Sequence, residues 1–235
     1  MVQTPLFYTN NNASQNELFT LEEDSSRHIV QVLRMKAGEQ LQLTDGLGSL
    51  LTAEIVSGHK KATQVRVLSV DKHPPSAPQI CIAISPVKNG SRFEWFLEKA
   101  TEIGVSDIVP LICERTEKQH FRADRMKNIL VSAMLQSRQV WLPRLHGPQG
   151  FRKAVEQGEA AQKFIAHCRE DKKQELRDQA NRHTGALILI GPEGDFTGEE
   201  INLALQYRYL PVSLGNTRLR TETAGMVAAA ILKAG

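Results

Sequence analysis

The sequence predicts an α/β protein, a mainly parallel sheet with helices on both faces, preceded by a small β-barrel. Three observations predict it. Residues 1–72 carry apolar and polar positions in alternation, as half-buried strands do. Three prolines then fall within His73–Pro78, where a strand ladder cannot continue, so residues 73–78 read as a linker between domains. Residues 79–235 switch to short apolar runs separated by helical patterns, the mark of repeated β–α units.

In the first domain, Leu41 and Leu43 alternate with polar neighbours and lead into the turn signal Asp45-Gly46. Ala53 with Ile55, and Val65 with Val67, continue the pattern, and one short helix, Ser25–Leu33, interrupts it. In the second domain, Ile80–Ile84 is a buried-strand run. Ser91 and Glu94 have capping-box spacing, and Phe93, Phe96, Leu97, Ala100 and Ile103 recur at helical intervals up to Gly104. Ile108–Ile112 is the next strand. Asp124 is placed to cap a helix carrying Ile129, Leu130 and Ala133. Phe164–Ala166 is a short strand, followed by a charged helix around Glu170–Ala180.

Two strand–loop–helix units close the chain. Ala186–Ile190 is apolar throughout and runs into Gly191-Pro192-Glu193-Gly194-Asp195-Phe196. Thr197 and Glu200 form a capping box for a helix that buries Ile201, Ala204 and Leu205. Leu210–Leu214 ends at Gly215, and Asn216–Ala224 leads into an Ala-rich helix. Such loops put a small-molecule site at the carboxyl edge of a sheet. Neither loop has the lysine-bearing phosphate cradle or the three-glycine dinucleotide turn.

Hydrophobic content of 41% and charged content of 23% are those of a soluble globular protein. No apolar run approaches a membrane span, which points to the cytoplasm and away from a membrane partner. The three cysteines, Cys81, Cys113 and Cys168, form no close pair, so neither a disulfide framework nor a metal site is expected. A net charge of +3 permits a nucleic-acid partner without demanding one. The basic residues cluster: Arg27, Arg34 and Lys36, then Lys60, Lys61 and Arg66, then Lys118, Arg122, Arg125 and Lys127. Each cluster taken singly also suits a solvated face.

With these residues in place, the chain resembles the 16S rRNA (uracil-1498-N3)-methyltransferase family, of the SPOUT class of knotted S-adenosylmethionine-dependent RNA methyltransferases. The likeness rests on His28–Arg34 and Asp45-Gly46-Leu47-Gly48 in the first domain. In the second it rests on Phe93–Trp95, Lys99–Val105, Gln136-Ser137-Arg138, Ile190–Gly194, Ser213–Gly215 and Leu219–Ala224. One departure is Asp195, where the family usually has a further glycine.

The resemblance implies a PUA-like RNA-binding barrel over residues 1–72 and a SPOUT domain with a deep trefoil knot over residues 79–235. It implies three loops around S-adenosylmethionine, with Ile165, His167, Ile190, Gly191, Glu193, Gly194, Leu214, Gly215, Leu219, Arg220, Thr223 and Ala224 as cofactor-binding residues. The partners it implies are 16S rRNA in the small ribosomal subunit and a second copy of the chain, for which Met226–Ala230 suits close packing. Arg27, Arg34, Lys36 and Arg138 are the RNA-binding candidates.

Methylating N3 of uridine requires an aligned methyl donor, loss of the N3 proton, and stabilisation of the charge spreading onto O2 and O4. Arg220 and Arg138 are candidate donors to that charge. Glu222 is a candidate base or orienting partner, and equally a first-turn residue that complements its helix dipole. Arg220 is either catalytic or a structural partner of Glu222 or Glu193. A non-catalytic RNA-binding assembly module is the competing reading; it would not need two glycine loops.

Overall fold

The computed structural model describes residues 4–117, 121–169 and 173–233. Contacts divide the chain into two compact units, Met1–Pro75 with Met134–Leu142, and Ser76–Ala133 with Pro143–Gly235.

In the first unit, β1 (Leu6–Tyr8), β2 (Leu18–Thr20), α1 (Glu23–Arg27), a π-helical turn (His28–Val32), β3 (Gln40–Thr44), β4 (Ser49–Ser57) and β5 (Gln64–Lys72) follow in order. The expected helix Ser25–Leu33 is thus two pieces, the second wound more loosely so that Ile29 is fully buried. The sheet order is β1-β3-β4-β5-β2, with only the β1–β3 pair parallel. Register shifts after Thr52 and Ile55 bend β4 against β5. Leu41, Leu43, Leu51, Ala53, Ile55, Val65 and Val67 form the core, so the alternation read from the sequence selects the buried face.

The Asp45–Gly48 turn is clamped by Val140–Leu142: Gly48 N donates to Val140 O (2.9 Å) and Leu142 N to Gly46 O (2.9 Å). Gly48 has φ +92, and a Cβ there would lie 2.5 Å from the Trp141 ring. The close approach of Trp141, whose indole donates to His73 O (3.1 Å), therefore requires glycine at this position.

The second unit continues with β6 (Ile80–Ile84), α2 (Gly90–Ile103), β7 (Asp107–Ile112), α3 (Ala123–Gln136), β8 (Arg144–Leu145), β9 (Gln149–Gly150), α4 (Phe151–Gln157), β10 (Gln162–Ala166), β11 (Gln174–Glu175), α5 (Leu176–Gln179), β12 (Ala186–Ile190), α6 (Gly198–Gln206), β13 (Leu210–Ser213) and α7 (Thr221–Lys233). The last three residues of α3 group with the first unit. Every pairing in this sheet is parallel, in the order β11-β13-β10-β12-β6-β7-β8, with β9 beside β7. β12 is buried at all five residues because it lies at the centre.

Several local expectations need correction. Asn89, not Ser91, caps α2: its side chain accepts from Ser91 N (3.1 Å), and Glu94 turns outward to Arg125. Asp124 lies inside the first turn of α3 rather than ahead of it. The charged helix expected around Glu170–Ala180 is, among the described residues, the two-residue β11 and the four-residue α5. Residues 170–172 of that expectation, and Lys118 of the third basic cluster, lie outside the described residues. Leu205 is largely exposed, on the outer face of α6. By contrast, Gly104 closes α2 in the left-handed conformation, and Thr197 and Glu200 form both capping-box bonds of α6.

Candidate active site

Parallel strands end on one edge, so the segments after β6, β7, β10, β12 and β13 converge at the carboxyl side of this sheet. Backbone and side-chain bonds then tie those segments together around Ile190–Gly194. Ser85 N donates to Ile190 O (3.0 Å) and Thr221 Oγ1 to Gly191 O (3.0 Å). Arg115 Nη1 donates to Gly194 O (2.7 Å). Arg92 reaches Glu193 (3.4 Å) and Glu222 (3.7 Å) with one guanidinium. Glu200, besides capping α6, accepts from Glu114 N (2.9 Å).

Asp195 explains its own departure from the family pattern. Its φ is +61, a conformation that glycine adopts freely and that aspartate tolerates better than most residues. Its carboxylate accepts from Phe196 N (2.9 Å) and from Cys168 N (2.9 Å), so it fastens this loop to the segment after β10. Gly191 is a close-approach glycine: an added Cβ would lie 3.1 Å from the buried Phe196 ring.

The cofactor candidates separate into held and open groups. Ile165, His167, Ile190 and Gly191 are buried, and Lys173 Nζ donates to His167 O (2.6 Å). Glu193 and Gly194 are exposed at the loop tip. Leu214, Leu219, Thr223 and Ala224 are half-buried, and Gly215 is exposed with φ +125.

Arg220 is exposed, and its guanidinium makes no ion pair or hydrogen bond among the described residues. Glu193 and Glu222, the structural partners considered for it, pair with Arg92 instead. Glu222 is buried at the start of α7; Oε1 faces Arg92, while Oε2 is buried with no hydrogen-bond partner among the described residues. A buried carboxylate oxygen with no donor is costly unless something arrives to supply one.

Arg138 belongs to the other unit, where φ +56 turns its guanidinium onto Thr4 O (3.2 Å) and Gln42 Oε1 (2.8 Å). Arg27 pairs with Glu23 (2.8 Å), and Arg34 and Lys36 are exposed. Burial pushes the Cys81 thiol up to about 12 and raises Cys113 as well, so neither offers a thiolate near neutral pH. Among the described residues no group of three His, Cys, Asp or Glu could hold a metal, and no helix is long and apolar enough to cross a membrane.

An RNA methyltransferase domain matches residues 74–233, and an RNA methyltransferase PUA domain matches residues 21–68. The chain belongs to the RNA methyltransferase family. Among solved structures, a probable rRNA methyltransferase from Porphyromonas gingivalis is 38% identical, with a TM-score of 0.89 over 98% of both chains. A ribosomal RNA small subunit methyltransferase E from Neisseria gonorrhoeae, bound to S-adenosyl methionine, is 29% identical with a TM-score of 0.87 over 99% of this chain and 98% of that one. A protein of the same name from Synechocystis is 29% identical over 92% of this chain and 72% of its own length. The resemblance read from the sequence is therefore borne out, as are the α/β class and the PUA-like first domain.

The residues that sequence reasoning missed in this methyltransferase are the ones that hold the loops: Ser85, Arg92, Arg115 and Thr221. Their partners lie far away in the chain, so no local pattern marks them. Thr221 alone carried a signal, standing within the Leu219–Ala224 motif.

Proposed function

We propose that this chain transfers a methyl group from S-adenosylmethionine to N3 of a uridine in 16S rRNA, uridine 1498, on the small ribosomal subunit. The observation that carries the reading is the bond from Thr221 Oγ1 to Gly191 O, which joins the two glycine loops into one wall beside Glu222 and its unpartnered Oε2. The donor set fits the cofactor: open backbone at Gly215, a buried acceptor for a hydroxyl or amine hydrogen, and no lysine in either glycine loop awaiting a phosphate. S-adenosylmethionine supplies, when bound, an electrophilic methyl group.

The chain's own residues do the rest. Ile165, His167, Ile190, Gly191, Glu193, Gly194, Leu214, Gly215, Leu219, Thr223 and Ala224 shape and orient the cofactor pocket. Arg220, with no partner of its own, donates to the uracil oxygens as they gain charge. Glu222 keeps one oxygen on Arg92 and offers the other as an acceptor, either for the N3 proton or for a polar hydrogen of the cofactor. Glu222→Gln separates the two: a base loses turnover at unchanged cofactor affinity, and a cofactor ligand loses both together.

Residues 1–72 act as the RNA-binding domain, residues 73–78 as the linker and residues 79–235, apart from the Met134–Leu142 stretch that groups with the first unit, as the catalytic domain, its final loops threaded as a trefoil knot. Arg27, Arg34, Lys36 and Arg138 meet RNA phosphates. The chain works in the cytoplasm as a homodimer. Support for the dimer comes from α7: Ala228 and Ala229 are buried in the chain's own core, while Met226, Val227 and Ala230 stay half open on the remaining face. The test is methylation of small subunits from a strain lacking this modification, with mass mapping of the rRNA. Methyl transfer to N3 of one uridine is expected; cofactor binding without transfer to any subunit RNA would overturn the reading.

A further inference from the structure

A cavity of about 780 Å³ opens in the second unit beside the first turns of α2 and α3 and the end of β7, and none of the candidate site residues lines it. We propose that it holds one nucleotide of the RNA strand adjoining the methylated uridine, base inward and phosphate at Arg122. The inference rests on the RNA methyltransfer reading.

The lining has the two parts such a ligand needs. Phe121, Met126 and Ile112 give an aromatic and aliphatic recess on which any base stacks, with the buried Phe93 as its floor. The charges at the mouth are mostly satisfied. Arg125 holds the Glu94 carboxyl below the usual carboxylate range through a two-pronged pair, and Lys88 meets Glu117 at 3.3 Å. Arg122 is exposed and makes no ion pair among the described residues. A guanidinium that makes no ion pair among the described residues, and acts on Glu94 only through its charge, set over an apolar recess suits one phosphate with its base. The volume lies within the range of small-ligand sites and exceeds that of a single base, which leaves room for the sugar.

Position selects a neighbour rather than the reacting base. Pro86 lines the cavity, and Ser85 before it donates to Ile190 O in the cofactor loop. Thr116, also in the lining, bonds the Ser85 hydroxyl (2.8 Å). Phe93 faces the cavity while Arg92 before it pairs with Glu193 and Glu222. The same two stretches of chain thus border both sites. The cavity does not include Glu222, so a base seated there is a neighbour of the reacting one along the strand.

The test compares wild type, Met126→Trp, which fills the cavity, and Arg122→Ala, which removes the cation from an exposed position. Each is assayed with unmethylated small subunits, with cofactor affinity measured by calorimetry on the same preparations. Each variant is expected to raise KM for subunits about tenfold, the range of one lost stacking or phosphate contact, with cofactor affinity unchanged. Arg122→Ala should also flatten the salt dependence of KM by about one counterion. Should Met126→Trp lose cofactor binding through misfolding, Arg122→Ala and its salt slope decide alone. Wild-type turnover with KM and salt slope unchanged in the folded variants would overturn the cavity assignment and leave the reaction standing. Wild type that binds cofactor and methylates no subunit would overturn the reaction, and this inference with it.

Discussion

The two glycine loops of the second unit share an edge of the sheet but not a way of being held. Ile190–Gly194 is bonded from four other segments: by Ser85, Thr221, Arg115 and Arg92, with Asp195 adding a link to Cys168. Asn216, Thr217, Arg218 and Arg220 of the second loop are exposed. The first loop is a fixed wall whose shape depends on distant residues. The second carries Arg220, whose backbone oxygen accepts from Ala224 N (2.7 Å) at the start of α7 while its exposed guanidinium makes no ion pair among the described residues.

The sharpest way to break this comparison is Arg220→Ala. Turnover on small subunits should fall on the order of 10²–10³-fold with cofactor affinity retained, and Arg220→Lys should recover little, since a point charge does not replace the guanidinium fork. Near-normal single-turnover rates at saturating cofactor would remove Arg220 from catalysis. Next is Glu222→Ala, which deletes both the acceptor and the partner of Arg92. Cofactor affinity should drop roughly tenfold to a hundredfold where Oε2 holds a polar hydrogen of the cofactor, and stay constant with turnover lost where it takes the N3 proton, read by calorimetry beside turnover.

Gly191→Ala tests the fixed wall. The methyl would press on Phe196, and overpacking of this kind costs about 1–3 kcal/mol, visible as a lowered Tm together with weaker cofactor binding. Arg115→Ala removes one bond to Gly194 O and should cost only about 1 kcal/mol, a several-fold loss of cofactor affinity without loss of fold. The smallest effect is expected in the first unit. Arg34→Ala should weaken RNA binding and lower its salt slope by about one, while cofactor affinity stays constant in the same titration series.

Much of this was legible from residues alone, and the misses share a cause. The Ala186–Ile190 run, the Thr197–Glu200 box and Gly104 are local patterns, fixed by neighbours within a few residues. The cap of α2 was misplaced because Asn89 and Ser91 are both good caps, and Arg125, 31 residues from Glu94, drew that carboxylate away. Short strands such as β1, β8, β9 and β11 carry too few residues to show a period. Nothing near Arg92 in the chain announces its partner, because Glu193 stands 101 residues further on.

The sequence by itself determined the two-part α/β plan, the central buried strand, both glycine loops and the family, because hydrophobic period, turn chemistry and motif order are one-dimensional properties. Only the tertiary structure decided that Arg92 rather than Arg220 pairs with Glu193 and Glu222, that Glu222 keeps an unpartnered oxygen, and that Asp195 ties two loops together. Those outcomes depend on which chain segments the parallel sheet delivers to one edge, and charge pairing is settled by distance in space, which spacing along the chain does not encode.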